Sequence, residues 1–293
     1  MENLKIKNLY QAYNGKNILD GISLELKSGE IVGIIGENGE GKSTLLKCIL
    51  GIITQFKGTI EYSGISVSDR KRYMQKINGM IESPVLYEEY TGNENLQYEM
   101  LGRGIKEKDW CTRLVHLFGM ESYLDTKVKK YSSGMKQKLA IVKAMINRPK
   151  ILILDEPTNA LDLDGKQCLL KAVKILNKEA GTSVIISSHS IGEMEKWIEK
   201  FYFLGYGKLT EIVRDGCYKV IECRKDIYMR EKEHLKNIDI TEMYSEGVNI
   251  ILKIRENMTD EFKDKMKNDN AVITEKNYSV EDEYKRLLYG EKI

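Results

Sequence analysis

The 293-residue sequence predicts an α/β fold: a parallel-sheet core with an antiparallel β subdomain, a helical insert and a small C-terminal α/β extension. Three observations predict it. Short β-branched runs free of internal charge, Glu30–Ile35, Ile151–Leu154 and Ser183–Ser187, have the composition of strands buried on both faces. Between about residues 78 and 148 strand signals nearly vanish and apolar residues recur at helical spacing. Beyond about Val213 the pattern changes again, which divides the chain into a domain at 1–213 and another at 216–293.

In chain order, Leu4–Leu9 and Ile22–Leu26 alternate like half-buried antiparallel strands, with Asn14-Gly15 and Ser28-Gly29 as turn signals. The first buried strand, Glu30–Ile35, follows. Lys42–Leu50 reads as a helix burying Leu45, Leu46, Ile49 and Leu50, and Gly51 stands where a helix-ending glycine belongs. In the insert, Leu114, Val115, Leu117 and Phe118, then Leu139, Val142, Met145 and Ile146, form helical stripes. In the second domain Lys219–Glu222 and Val248–Ile254 read as strands, and Thr259–Lys267 as a short helix. The final helix opens on Ser279 with Asp282 three residues on, a capping-box pattern, and carries Val280, Tyr284, Leu287 and Leu288 on one stripe.

Composition excludes several classes of function. Lysine and arginine number 46 against 44 aspartate and glutamate, so the net charge of +2 lacks the basic excess that grips nucleic acid. An apolar content of 42% with 31% charge and three prolines excludes a fibrous or disordered chain. No run approaches the roughly 18 apolar residues of a spanning helix. The opening MENLKIKNLYQAYNG has no apolar core of a secretory signal, so a cytosolic location is expected. Cys48, Cys111, Cys168, Cys217 and Cys223 are scattered without C-x-x-C spacing, which points to reduced thiols. His116 and His234 have no second ligand type at metal spacing and read as structural or solvated.

The strongest chemical signal is GENGEGKS at 36–43, a full match to G-x-x-x-x-G-K-[ST] between a strand and a helix. Gly36, Gly39 and Gly41 let the backbone curl until consecutive N–H groups face an anion, and the helix starting near Lys42 adds its positive end. Glu37, Asn38, Glu40 and Thr44 complete the candidate nucleotide-binding segment. Lys42 offers an ammonium to the β- and γ-phosphates, and Ser43 a hydroxyl to Mg²⁺. A glycine-rich turn that binds nothing is the alternative, and the coincidence of motif and context counts against it. ILILDE at 151–156 is an apolar strand ending in two carboxylates. Asp155 can reach Mg²⁺ and Glu156 can poise an attacking water. Alone, such a pair is as consistent with capping or a solvated loop; beside the phosphate loop it gives a nucleotide triphosphatase site, which kinases, GTPases and helicases also carry.

YSSGMKQ at 131–137, opening a helix, resembles the LSGGQ signature, and the motifs from Tyr13 to His189 are similar in order to those of the ATP-binding subunits of ABC transporters. The departures are Tyr131, Ser133 and Met135, where leucine, glycine and glutamine are usual. The resemblance implies that Ser132, Ser133, Gly134 and Met135 grip the γ-phosphate of ATP held by the opposite subunit. It gives Tyr13 the role of stacking on adenine, with Tyr10 a second candidate, and places Asp162 of TNALD at the subunit interface. His189, after SVIISS, resembles the switch histidine, so the implied catalytic set is Glu156, His189 and Lys42.

In GMIESPVLYEEYTGNENL, Glu82 occupies the position of the family's usual glutamine. A carboxylate there can bind Mg²⁺ but cannot donate a hydrogen bond, which gives Ser43, Glu82 and Asp155 as candidate metal ligands; substitution at a tolerant position is the alternative. I-E-S-P, YSSGMKQ and the extension ending SVEDEYKRLL resemble the subgroup that exports bacitracin and lantibiotics or confers immunity to them. The resemblance implies a P-loop ATPase core that hydrolyses ATP with Mg²⁺, and a homodimer or paired ATP-binding subunit. It also implies a separate transmembrane permease and a peripheral place on the inner face of the cell membrane, with no nucleic-acid partner. Open alternatives are an exporter of sodium, lipid or polysaccharide, and a soluble ABC ATPase acting on ribosomes.

Overall fold

The computed structural model describes residues 2–13, 15–82, 85–189, 191–195, 198, 200–212, 218–266 and 273–289. Asn14, Ser83-Pro84, Cys217, Lys267 and the predicted domain junction at 213–216 lie outside these residues. Contacts divide the chain into two units, Met1–Thr210 and Glu211–Ile293.

The strands of the first unit are β1 (Leu4–Tyr13), β2 (Lys16–Leu26), β3 (Ile31–Ile35), β4 (Lys57–Tyr62), β5 (Ile65–Ser66), β6 (Ile77–Met80), β7 (Ile151–Asp155), β8 (Ser183–Ser188), β9 (Lys200–Gly205) and β10 (Lys208–Ile212), whose last two residues pass the boundary at Thr210. One sheet has the order β2-β1-β4-β5, with antiparallel pairing throughout. The other has the order β10-β9-β3-β8-β7-β6, and β9, β3, β8, β7 and β6 run parallel. Every residue of β7 and β8 is buried, which is why those strands carry no internal charge and centre on Ile151–Leu154 and Val184–Ile186. The helix Lys42–Ile49 inserts Leu45, Leu46 and Ile49 into a core shared with Leu4, Ile6 and Leu9 of β1 and Ile151 and Ile153 of β7. Each such side chain contributes about 1.5–3 kcal/mol, so the phosphate helix is fixed by both sheets.

The predicted helical insert begins too early. β6 occupies Ile77–Met80 and pairs with β7, so strand geometry persists past residue 78. Its Asn78 and Gly79 give no β-branched signal, and Gly79 is needed because a Cβ there would meet the Ile153 carbonyl oxygen at 2.5 Å. β4, β5, β9 and the full length of β1 and β2 also exceed the sequence reading. The insert's helices are Gly92–Gly102, Asp109–Leu117 and Ser133–Met145. The first starts at a capping box in which Thr91 Oγ1 accepts from Glu94 N and Glu94 Oε2 accepts from Thr91 N.

The second unit contains β11 (Tyr218–Arg224), β12 (Ile240–Glu246), β13 (Asn249–Arg255) and β14 (Thr274–Asn277), with helices Lys225–Glu231, Thr259–Met266 and Val280–Tyr289. The antiparallel order β12-β13-β11-β14 makes this a split β-α-β arrangement with an added final helix. One sheet face packs Ile221, Leu252 and Ile254 against Ile227 and Phe262, while the other gathers Val220, Met243, Tyr244 and Ile251. Ser279 and Asp282 cap the last helix reciprocally through Oγ to Asp282 N and Oδ2 to Ser279 N. Among the described residues no helix is long and apolar enough to cross a membrane. Cys48, Cys111, Cys168 and Cys223 are free thiols.

Candidate active site

A concavity of about 290 Å³ is lined by Tyr13, Ile18, Asn38, Gly39, Gly41, Lys42, Ser43, Thr44, Asp155 and Glu156. Its floor is the loop leaving β3. Gly39 and Gly41 have φ of +90° and +98°, a region that side chains disfavour. Gly36 is pressed against the β9 end, where a Cβ would lie 2.3 Å from the Leu204 carbonyl oxygen. Gly41 is the N-cap of the helix Lys42–Ile49 and supplies no side-chain cap, so the first-turn N–H groups are left for an anion.

Lys42 Nζ donates to the carbonyls of Gly36 at 2.7 Å and Glu37 at 3.1 Å and lies 3.9 Å from Glu156 Oε1. Burial pushes its pKa below the usual lysine value, opposed by the charges of Glu156, Asp155 and Glu40. A phosphate in the concavity would give this ammonium a stronger acceptor than the two carbonyls.

The carboxylates stand at the end of β7. Asp155 Oδ1 accepts a short hydrogen bond from Ser187 Oγ, and the same oxygen of Ser187 accepts from Glu156 N at 3.0 Å. Glu156 has φ of +47°, which turns its side chain out of the strand direction. Its Oε2 is 2.8 Å from His189 Nδ1, at the end of β8. Ser187 was not singled out in the sequence. The available signal was a hydroxyl within an apolar strand, which requires a buried partner.

The hydroxyl of Ser43 and the carboxylate of Asp155 share the concavity, a donor set that suits a hard octahedral cation completed by phosphate oxygens and water. Among the described residues no three His, Cys, Asp or Glu side chains form a protein-only metal cage. Glu82, expected as a third ligand, does not line the concavity. Its Oε1 instead accepts from Lys47 Nζ at 2.5 Å, because Lys47 projects a cation from the last turn of the phosphate helix. Glu40 is likewise directed away: its Oε2 accepts from Tyr206 N at 2.7 Å and ties the phosphate loop to the β9–β10 turn. Glu37 meets Lys42 only through its carbonyl.

Tyr13 stands at the mouth with 56% of its surface exposed, whereas Tyr10 lies over Gly21 and outside the concavity. Ser132 caps the helix Ser133–Met145, its Oγ accepting from Met135 N at 3.2 Å. Residues 132–135 do not line the concavity of their own chain. Gly134 backs onto Ala160, where a Cβ would lie 2.9 Å from the carbonyl oxygen. Gln137 Nε2 donates to Pro157 O at 3.0 Å, a link from this helix to the Glu156 turn that sequence reasoning missed. Asp162 caps the following helix through Gly165 N at 2.8 Å. His116 and His234 pair with Glu121 and Glu231 at exposed positions.

The ABC transporter family model matches residues 19–159. The lantibiotic transport ATP-binding protein SrtF of Streptococcus pyogenes is 35% identical over 230 residues, covering 78% of this chain and 99% of SrtF. The bacitracin transport ATP-binding protein BcrA of Bacillus licheniformis is 33% identical over 209 residues, covering 71% and 68%. A dimeric post-hydrolysis structure of the ATP-binding cassette MJ0796 with ADP and Pi superposes with a TM-score of 0.67 at 25% identity, covering 73% of this chain and 99% of that one.

Proposed function

The chain belongs to the ABC transporter family as an ATP-binding subunit with ATPase activity, and from that premise we propose that it powers export of a lantibiotic- or bacitracin-type peptide antibiotic, or immunity to it. The observation that carries the catalytic reading is the single concavity joining Tyr13, the phosphate loop, Asp155 and Glu156. The cargo reading is supported by the names of SrtF and BcrA.

In this reading Tyr13 stacks on adenine, and the N–H groups of Gly36 to Thr44 with Lys42 hold the phosphates. Ser43 and Asp155 would hold Mg²⁺, whose charge offsets that of the β- and γ-phosphates. Glu156 orients the attacking water and accepts its proton, steadied by His189. The water oxygen bonds to the γ-phosphorus as the bond to the β,γ-bridging oxygen breaks, and Lys42 stabilises the charge gathering there. Residues Ser132 to Met135 and Asp162 of a second ATP-binding subunit complete each site, so two subunits close on two ATP molecules.

Docking of a separate transmembrane permease at the helical insert is supported by a groove of about 460 Å³ that includes Leu50, Ile52, Ile81, Val85 and Tyr87. Val85 there is 89% exposed, and exposed apolar surface in a groove marks an interaction site. The chain then sits on the inner face of the membrane, with 1–213 as the ATP-binding domain and 216–293 as an accessory domain that regulates it or steadies the dimer. The test is purification of the tagged chain from membranes of its native host, identification of what accompanies it, and assay of peptide-antibiotic tolerance with Glu156→Gln. A co-purified permease and lost tolerance are expected. Unchanged tolerance overturns the cargo assignment, and recovery without a membrane protein overturns the permease.

A further inference from the structure

We infer that Tyr131 is a positioning residue that sets the signature segment 132–135 through a hydroxyl anchor accommodated by Gly92. The inference rests on the reading that this segment meets nucleotide held by a second subunit. Tyr131 is only 6% exposed, and its Oη donates to Tyr123 O at 2.9 Å, with Leu124 O at 3.5 Å. Its ring meets that of Tyr123 edge-on at 5.1 Å. The space for the hydroxyl exists because residue 92 is glycine: a Cβ there would lie 2.3 Å from Tyr131 Oη.

This anchor sits one residue before the cap. Tyr131 N donates to Val128 O, the chain continues extended, and Ser132 then caps the helix. The direction in which Ser132 Oγ and the following N–H groups point is therefore inherited from a buried ring held at its far end. Leucine would fill the apolar space but could not bond the carbonyls. Leu124 O also accepts from Asn93 N at 3.0 Å, so the turn at 123–124 fixes the start of helix Gly92–Gly102 and the signature together. Gly92 and Tyr131 thus form one complementary pair across the insert.

The test uses the full chain in a Glu156→Gln background, with ATP-driven dimerisation followed by sedimentation and ADP affinity of the monomer by calorimetry. Tyr131→Phe keeps the ring and should weaken dimerisation about three- to tenfold, the loss expected of one hydrogen bond, with ADP affinity unchanged. Gly92→Ala should weaken it further by displacing the hydroxyl, and adding Tyr131→Phe to Gly92→Ala should recover part of that loss, the contacts of the new Cβ with Leu124 O and Cδ1 at 3.1 Å accounting for the rest. Ser132→Ala is the control for the underlying reading. If it impairs dimerisation while Tyr131→Phe and Gly92→Ala do not, the anchor is overturned. A proportional fall in ADP affinity with Tyr131→Phe also overturns it, since that marks a general structural role. If Ser132→Ala itself has no effect, the signature reading fails and the inference with it.

Discussion

His189 Nδ1 lies 2.8 Å from Glu156 Oε2, so the ends of the neighbouring strands β8 and β7 meet through one carboxylate at the mouth of the phosphate loop. The opposite oxygen, Oε1, faces Lys42 at 3.9 Å. One side chain thus touches both the phosphate-binding cation and the imidazole.

A general base at this point predicts that Glu156→Gln lowers ATP turnover by about 10²- to 10⁴-fold while retaining ATP binding. The amide keeps the size and polarity of the group and loses its basicity. Light scattering with ATP should show a stable dimer accumulating in the variant. Steady-state hydrolysis at the normal rate would remove Glu156 from the role.

Lys42 predicts a pH effect with a definite sign. Burial lowers its pKa from 10.5 in the free site, whereas phosphate beside it favours the ammonium. From the lowered value upward, ATP binding should take up a proton and weaken as pH rises. In the unliganded protein the unfolded state binds more protons between the lowered value and 10.5, so this lysine's contribution to stability improves with rising pH there. Calorimetry in buffers of different ionisation heat measures the uptake, and Lys42→Arg should abolish it because the guanidinium stays charged. Lys42→Ala should lose nucleotide binding altogether.

The phosphate loop was legible because its chemistry is local: three glycines, a lysine and a hydroxyl lie within eight consecutive residues. β3, β7 and β8 were legible because burial on both faces leaves a short β-branched stretch free of internal charge. β6 was not, since Asn78 answers to distant groups: its Nδ2 bonds Asn147 Oδ1 and Lys143 O. The side-chain directions of Glu40 and Glu82 were equally hidden. Their partners, Tyr206 and Lys47, are 166 and 35 residues away, and no local periodicity encodes such a pairing.

Ser187 predicts a combined loss. Its hydroxyl donates to Asp155 and accepts from Glu156 N, so Ser187→Ala strips a partner from a buried carboxylate and from the backbone beside the base. The cost should be about 1–3 kcal/mol in chemical unfolding. ATPase activity should fall with it, and Ser187→Thr should restore both by returning the hydroxyl. Full activity in the alanine variant would show that Asp155 and Glu156 are positioned without it.

The pair Glu82–Lys47 decides between two uses of the carboxylate. With side chains 58% and 29% exposed, it contributes only about 0–1 kcal/mol, too little to hold Glu82 against a doubly charged cation nearby. If Glu82 serves the cation, Glu82→Gln should keep ATP binding but change the relative activity with Mg²⁺ and Mn²⁺, since an amide is a weaker ligand than a carboxylate. Lys47→Met, which removes the competitor and leaves the carboxylate free, should then lower the Mg²⁺ concentration needed for half-maximal hydrolysis. Metal titrations of the ATPase read both effects. Unchanged profiles in the two variants would make Glu82 a partner of the phosphate helix alone, and would remove it from the metal ligands.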